Sequence, residues 1–583
     1  MIKYILPVTT GILLLIFYLA LPNLSHLQKV NSTCENRISH HFTGKDILIL
    51  LIVTLLAAIL DFAHLGNKES VQTFMHISSS DAILTLEEET EINQYTVFTG
   101  IGYGDLIFET SANGTDFTES CRYTLDAGGV LKWQNLYPYE PVTAKAVRIT
   151  ATGNAWLGEV CLLRGNEEPV PFQCSTPELC DEQTMLTTHQ SFMNSTYFDE
   201  IYHARTAWEH LNNINPYEVS HPPLGKLIIS LGIRLFGMTP FGWRFTGTLA
   251  GVLMIPLIYL FLKILFGSTF VATCGSLIMA SEFMHYVQTR IATIDSYAVL
   301  FIILMYLFMY LYISEENLPA LALSGIFFGI GSASKWTCIY AGAGLAVIWL
   351  AHQILRKDRS VKNFLKNALF CLVFFVLIPC CIYYISYYPY GKAAGKTNLL
   401  SRDYLDIVLA NQKYMFEYHS KLVAEHPYSS IWVQWMLDIR PILYYLEYFN
   451  DGTRSSFGAF LNPVLCWGGL LALFALLYRA IFRRDTTAAF ILIGYLAQLI
   501  PWVFITRLTF EYHYFPCSVF LLLAIGYVFH IMEENCTFGR AYMTGLTVLS
   551  VILFILFYPA LSGMKVDNRT ASALLQWLPT WPF

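Results

Sequence analysis

The sequence predicts a polytopic α-helical membrane protein with an inserted β-sandwich domain near its N-terminus. Of its 583 residues, 55% are hydrophobic and only 13% are charged, and the mean hydropathy is +0.47. A single soluble core does not have this composition. A third observation predicts the sandwich, because short alternating polar and apolar segments fill residues 66–165.

Apolar runs of near-spanning length predict about 11 to 12 transmembrane helices, because a helix that rises about 1.5 Å per residue needs roughly 20 residues to cross the hydrocarbon. The first run can also be read as a signal peptide, although no small-residue cleavage site follows it. The runs lie at residues 4–22, 46–62, 243–266, 268–287, 295–313, 319–337, 338–355, 367–386, 461–482, 487–505, 515–531 and 541–558.

The polar segment after the second run has turn signals such as Asn113-Gly114 between its short strands. Its pattern resembles a discoidin-like or galactose-binding-like jelly roll, and we expect a spacer or docking module. Four cysteines in this region are compatible with two disulfides in an oxidising compartment. One possible pairing joins Cys121 to Cys161 and Cys174 to Cys180.

Basic residues in the loops predict the topology. Lys29, Arg37 and Lys45, and later the basic run 356–359, are placed in the cytoplasm by the positive-inside rule. The polar stretches are then extracytoplasmic. The predicted organisation is two N-terminal membrane helices (1–63), the β-sandwich (64–168), a catalytic loop with an interfacial helix (169–240), transmembrane helices (241–386), an extracytoplasmic loop (387–460), and C-terminal transmembrane helices with an extracytoplasmic tail (461–583).

The stretch from Tyr197 to Lys226 concentrates acids, histidines and a prolyl turn beside the apolar region. Neighbouring residues do not share a helix face, so Asp199 and Glu200 are expected to have separate jobs. The sequence HPPLGK at 221–226 ends any preceding helix and starts an amphipathic one.

Several motifs together carry a family resemblance. They are Phe-Asp-Glu at 198–200, HPPLGK at 221–226, TRIATID at 289–295, SKWT at 334–337, YHSKLVAEHPYSS at 418–430 and TFEYHYFP at 509–516. The chain resembles the protein O-mannosyltransferases that use dolichyl- or polyprenyl-phosphate mannose, in their compact prokaryotic form. This resemblance implies a GT-C architecture, a polyprenyl-phosphate-mannose donor, and transfer with inversion to Ser or Thr of an exported protein.

Transfer of a sugar to a hydroxyl needs a proton acceptor, while a phosphate leaving group needs charge stabilisation. The resemblance implies that Asp199 is the base, and Glu200 is expected to orient the acceptor or a nearby cation. The phosphate candidates are Lys335 and Arg290, then Arg507 and Arg244. The other predicted binding residues are His221, Lys226, Asp295, Glu218, His513 and Trp336.

Some of these candidate site residues can also be explained by structural roles. Arg290 and Asp295 can form a structural ion pair, and single interfacial cations are ordinarily membrane anchors. The histidines match no standard zinc spacing, so neither a metal nor a cofactor is expected. The net charge of -6 argues against nucleic acid as a partner.

Two other functions remain open from the sequence. One is a related lipid-carrier transferase that acts on a lipid or glycan, like an aminoarabinose transferase. The other, from a different class, is a membrane transporter or a glycan-binding protein. The 387–460 loop is too short for the large eukaryotic sugar-recognition domain, which favours a bacterial plasma membrane over the endoplasmic reticulum.

Overall fold

The computed structural model describes residues 2–25, 27, 42–77, 82–356 and 360–583. The predictions for Lys29, Arg37 and residues 357–359 lie outside this part. The chain forms two compact units. The first comprises Met1–Ala63, Asn213–Leu227 and Gly247–Phe583, and the second comprises His64–Asn212 and Ile228–Thr246.

The α-helices of the described chain are numbered in order. They are α1 (Ile2–Leu19), α2 (Gly44–Phe62), α3 (Glu200–Leu211), α4 (Leu224–Phe236), α5 (Pro240–Phe266), α6 (Thr269–Ala280), α7 (Phe283–Arg290), α8 (Asp295–Glu315), α9 (Leu318–Ser334), α10 (Thr337–Leu355), α11 (Val361–Leu372), α12 (Ile378–Ser386), α13 (Tyr388–Ala393), α14 (Arg402–Lys421), α15 (Trp432–Met436), α16 (Pro463–Arg483), α17 (Thr486–Val503), α18 (Phe515–Asn535), α19 (Gly539–Ser562) and α20 (Asn568–Leu574).

Within the described residues, eight helical segments are long and apolar enough to cross a membrane. Shorter apolar helices cover Lys3–Leu19, Thr269–Ala280 and Leu318–Ser334. These segments confirm a multi-pass membrane protein. The predicted number of 11 to 12 helices is larger than eight because it includes the shorter apolar helices. The eight are Pro240–Phe266, Asp295–Glu315, Thr337–Leu355, Val361–Ala393, Pro463–Arg483, Thr486–Val503, Glu511–Asn535 and Gly539–Ser562.

Buried ion pairs join the helices of the first unit. The Asp46 carboxylate lies 3.2 Å from the Lys263 ammonium and accepts a hydrogen bond from Tyr259 at 2.8 Å. Arg479 and Asp485, both fully buried, are 3.1 Å apart. Loss of one partner from such a pair leaves an uncompensated buried charge, which is strongly destabilising. The pairs therefore fix how the helices pack.

The strands are β1 (Met75–Ile77), β2 (Ala82–Ile92), β3 (Gln94–Ser111), β4 (Thr118–Leu125), β5 (Lys132–Leu136), β6 (Val142–Ala151), β7 (Asn154–Arg164), β8 (Glu168–Val170), β9 (Gln173–Cys174), β10 (Ile442–Tyr448), β11 (Thr453–Ala459) and β12 (Val566–Asp567). β1 to β9 belong to the second unit, where the main path of neighbours is β1-β7-β3-β6-β2-β9.

The long strand β3 connects the two layers of the β-rich domain. Its first half pairs antiparallel with β5 and β7, and its second half pairs with β4 and β6. Between the halves, Gly102 and Gly104 have φ of 136° and 107°. A Cβ at Gly104 would lie 1.7 Å from the Thr152 carbonyl oxygen, so only glycine fits there. The antiparallel pairing of these strands confirms the predicted β-rich insertion.

The suggested disulfide between Cys121 and Cys161 is wrong. Cys121 pairs with Phe108, and Cys161 pairs with Thr96, at opposite ends of β3. All four cysteines of this domain are free thiols in the structure. Cys174 and Cys180 are neighbours whose thiols interact, so of the two suggested pairs only this one has its sulfurs close together.

The predicted loop 387–460 is largely regular structure. It contains α13, α14 and α15, and β10 and β11 join β12 in a three-stranded sheet. α14 buries one face, formed by Tyr404, Val408, Asn411 and Met415, at the spacing of successive helical turns. Charged and aromatic residues cover the rest of α14, and therefore the helix gives a weak apolar signal.

Candidate active site

The acidic pair Asp199 and Glu200 marks the start of α3 in the second unit. Asp199 is the N-cap residue, and no hydrogen bond from its side chain caps the helix. The preceding residue, Phe198, has φ of 48°, in the left-handed region that a bulky side chain rarely adopts. The two carboxylates differ in exposure: Glu200 is fully buried and Asp199 is partly exposed.

Glu200 forms a buried, two-pronged ion pair with Arg244, which is 1% exposed. The Arg244 Nε and Nη2 donate to its carboxylate at 2.7 and 2.8 Å. The remaining Arg244 N–H groups donate to the carbonyls of Leu65 (2.8 Å), Phe192 (2.6 Å) and Ser195 (3.0 Å). All five guanidinium donors are therefore used within the second unit. Arg244 positions Glu200, and it has no donor available for a phosphate.

The HPPLGK turn of the first unit is organised around Lys226, which is 1% exposed. Its ammonium pairs with the Glu218 carboxylate and donates to the carbonyls of Glu218 at 2.7 Å and His221 at 3.2 Å. Glu218 also accepts from the Ser220 N–H at 2.7 Å. The role of Glu218 is thus to hold this turn together with Lys226.

Lys335 is a buried cation whose partner lies far along the chain. It is the residue after α9, and its Nζ is 2.6 Å from the Asp295 carboxylate at the start of α8. The two residues are 7% and 8% exposed. The alternative ion pair between Arg290 and Asp295 is wrong, because Asp295 pairs with Lys335. The ring of Tyr512 lies 5.6 Å from the Lys335 ammonium.

Arg290 joins the end of α7 to the end of α2. Its guanidinium donates to the Ala63 carbonyl at 2.9 Å and to the Tyr286 hydroxyl, and it lies 4.6 Å from the Tyr286 ring. Arg290 is only 7% exposed. These contacts give it a structural role in the first unit, in addition to the phosphate role that its sequence position suggests.

Histidines and a second cation surround Lys335. The pKa of His221 is lowered by burial, although Glu218 opposes the shift. Burial, with the nearby charges of His221 and Arg507, lowers the pKa of His419 to about 4. Lys335 and Arg507 thus lie close enough to the His419 ring to disfavour its charged form. His513 is buried, and its ring stacks on that of Tyr512 with centroids 4.4 Å apart.

The hydrogen bonds define the His419 tautomer. Its Nε2 donates to the Ser220 carbonyl at 2.8 Å, so Nδ1 carries a lone pair. That Nδ1 is buried and has no hydrogen-bond partner among the described residues. The ring also packs edge-on against His221, with centroids 5.2 Å apart. His419 therefore offers a buried acceptor beside the HPPLGK turn.

Sequence reasoning missed a polar network that holds this turn. Asn411 donates to the Val219 carbonyl at 2.9 Å and accepts from the Tyr387 hydroxyl at 2.6 Å. The Trp336 indole donates to the Tyr383 hydroxyl at 3.0 Å. The available signal was a run of polar residues on one face of α14, which the sequence alone does not connect to the turn.

Two family profiles match most of the membrane region. Residues 220–383 match the dolichyl-phosphate-mannose-protein mannosyltransferase profile, and residues 404–581 match the profile of the C-terminal four TMM region of protein-O-mannosyltransferase. Together they span both helical stretches that carry Lys335, Asp295 and Arg507.

Two curated relatives support the same family as these profiles. The polyprenol-phosphate-mannose--protein mannosyltransferase of Mycobacterium tuberculosis (strain CDC 1551 / Oshkosh) is 25% identical over 476 residues, which cover 68% of this chain and 90% of that protein. The protein of the same name from Mycolicibacterium smegmatis (strain MKD8) is 26% identical, over 66% of this chain and 87% of that protein.

A solved structure shares the fold. The S. cerevisiae protein O-mannosyltransferase Pmt1-Pmt2 complex bound to the sugar donor aligns with a TM-score of 0.59 at 15% identity, and covers 67% of this chain and 90% of that chain. The fold and the two family profiles define a membrane-embedded glycosyltransferase of the GT-C class. Within that class, the chain belongs to the protein O-mannosyltransferase family.

Proposed function

We propose that this protein transfers mannose from a polyprenyl-phosphate-mannose donor to a Ser or Thr hydroxyl of an exported protein, with inversion at the anomeric carbon. The relatives' names support the donor and the protein acceptor. The observation in this chain that carries the proposal is the buried Lys335, which has Arg507 and the His419 imidazole near it.

In the proposed reaction, a few residues have separate roles. The acceptor oxygen forms a bond to the anomeric carbon as the bond from that carbon to the phosphate oxygen breaks. Asp199 accepts the proton of the acceptor hydroxyl, and polyprenyl phosphate leaves as the anion. Glu200, fixed by Arg244, positions the backbone that carries Asp199.

The leaving phosphate needs cations more than it needs an acid. Lys335 is the first candidate, because its ion pair with Asp295 keeps a charged ammonium stable in a buried place. A phosphate would share or replace that carboxylate as the partner. Arg507 is the second candidate, since within the described parts of the chain its side chain donates one hydrogen bond, to the adjacent Leu508 carbonyl at 3.1 Å.

The decisive test is transfer of labelled mannose by the purified full-length protein. A polyprenyl-phosphate-mannose donor is offered with a Ser/Thr peptide, a matched peptide with those residues replaced by Ala, and a lipid acceptor. We expect label only in the Ser/Thr peptide. Label in the lipid and not in the peptide would support the aminoarabinose-transferase-like alternative, and no transfer to either acceptor would contradict the proposal.

We also propose that the reaction takes place on the extracytoplasmic face of a bacterial plasma membrane. Val423, next to α14, is 95% exposed and offers a position for an epitope tag. Antibody binding to the tag in intact spheroplasts is the expected result. Binding only after the membrane is permeabilised would contradict this orientation.

A further inference from the structure

Three carboxylates converge at the edge of the β-rich domain, in the second unit. Glu159 belongs to β7, and Asp181 and Glu182 belong to the segment after β9. One carboxylate oxygen from each residue lies within 4.8 Å of the other two. In the described part of the chain, no lysine or arginine forms a salt bridge with any of them. The three carboxyl groups thus lie close together without a lysine or arginine partner among the described residues.

The environment of Glu159 is a second and independent observation. Glu159 is fully buried. Its Oε2 accepts from the Glu182 N–H at 2.7 Å, but its Oε1 is buried with no hydrogen-bond partner among the described residues. Proteins rarely leave a buried carboxylate oxygen unsatisfied, because its lost hydration is then uncompensated. A bound ligand would satisfy the Glu159 Oε1.

Backbone hydrogen bonds fix the position of the neighbouring Glu182 carboxylate. It accepts from the N–H groups of Gln72, at 2.9 Å, and Thr73, at 3.0 Å. Asp181 is exposed, so its carboxylate is reachable from solvent. The cluster thus combines a buried oxygen, a fixed carboxylate and an open side.

We propose that Glu159, Asp181 and Glu182 together bind one Ca²⁺ ion. Carboxylate oxygens are hard donors, which Ca²⁺ and Mg²⁺ prefer. Ca²⁺ takes about six to eight oxygen ligands in flexible geometry, whereas Mg²⁺ demands a near-ideal octahedron, keeps several waters and usually binds only one or two carboxylates. A cluster of three carboxylates therefore suits Ca²⁺ better.

The competing explanation is a proton on Glu159. Burial, together with the charges of Asp181 and Glu182, raises the pKa of Glu159 to about 7. A proton would remove one of the three charges but leave the other two side by side. A divalent cation attracts all three carboxylates at once and also gives Oε1 a partner.

The ion would fasten the segment after β9 onto β7. That segment continues to Phe192 and Ser195, whose carbonyls accept hydrogen bonds from Arg244. Ca²⁺ would therefore stabilise the backbone that leads to Asp199. The inference concerns binding alone and does not depend on which sugar or acceptor the enzyme uses.

Equilibrium dialysis of the full-length protein in detergent against radiolabelled Ca²⁺ tests the proposal. The protein is first stripped of metal with a chelator, and the buffer is held at pH 8, where a proton competes least. We expect one ion per chain. Glu159→Gln and Asp181→Asn should each weaken binding at least tenfold, while Glu178→Gln, an exposed acid on the same segment, should bind like wild type.

Each outcome decides the matter. No Ca²⁺ binding by wild type, or unchanged binding by both variants, would overturn the proposal and leave Glu159 protonated. Mg²⁺ that competes at equal concentration would overturn the choice of Ca²⁺. If the buried Glu159→Gln variant fails to fold, as judged by gel filtration, the exposed Asp181→Asn variant decides.

Discussion

Arg244 donates all five of its N–H groups inside the second unit, and two of them go to the Glu200 carboxylate. A planar guanidinium makes this pattern possible, because its fork matches a carboxylate while the outer N–H groups reach carbonyls. A lysine has three donors on a point charge and cannot reproduce it. The residue therefore acts through Glu200 on the start of α3.

We expect Arg244→Lys to lower kcat for mannose transfer and to destabilise the protein by about 3 kcal/mol, as when a buried ion pair is broken. The KM for the donor should change little. Steady-state kinetics and thermal unfolding measure these effects, and Arg234→Lys, at an exposed position on α4, is the control. A raised donor KM with unchanged unfolding would instead mean that Arg244 binds the phosphate.

His419 gives stability a pH dependence. Its folded pKa of about 4 lies below the usual value near 6.5, so between these values the unfolded chain binds a proton that the folded chain does not. This contribution is present above about pH 6.5 and is lost as the pH falls toward 4, at no more than about 1.4 kcal/mol per pH unit.

The melting temperature, measured at a fixed heating rate from pH 7 to pH 4.5, tests this effect. We expect it to fall less steeply for His419→Gln than for wild type. His189→Gln, at an exposed histidine of the second unit, should follow wild type. Identical slopes for all three proteins would contradict the assignment of a buried neutral imidazole.

At the scale of elements, α14 holds the HPPLGK turn through two side chains. Asn411 and His419 both donate to carbonyls of the two residues just before that turn, Val219 and Ser220. The buried face of α14 was not evident from the sequence, because polar Asn411 belongs to it while apolar residues such as Leu409 lie on the exposed face. The prolyl turn and the helix after it were predicted correctly, since Pro and Gly constrain the backbone locally.

Asn411→Ala should loosen this turn, because it removes the donor to the Val219 carbonyl and the acceptor of the Tyr387 hydroxyl, which keeps its bond from Gln412. The expected cost is about 1–3 kcal/mol. Hydrogen exchange should become faster at the backbone amides of residues 217–221. Leu409→Ala, on the exposed face of the same helix, is the matched control. Equal exchange in both variants would mean that Asn411 does not hold the turn.

At the scale of the whole molecule, composition and apolar runs were sufficient to predict a multi-pass membrane protein, and alternation was sufficient to predict the β-rich domain. Partners distant in sequence were not predictable. Lys335 and Asp295 are 40 residues apart and Glu200 and Arg244 are 44 apart. Tertiary packing alone brings such pairs together. The same limit explains the wrong Cys121–Cys161 disulfide, since spacing does not show that β3 separates them.

In the proposed mechanism, Asp199 accepts the proton of the acceptor hydroxyl while its neighbour Glu200 is structural. This division of roles is tested by kcat for mannose transfer by Asp199→Asn, with donor binding and the melting temperature measured on the same preparation. Loss of a positioned base predicts a fall in kcat of about 10²- to 10⁴-fold, with donor affinity and melting temperature near wild type. A kcat within about threefold of wild type would mean that Asp199 is not the base.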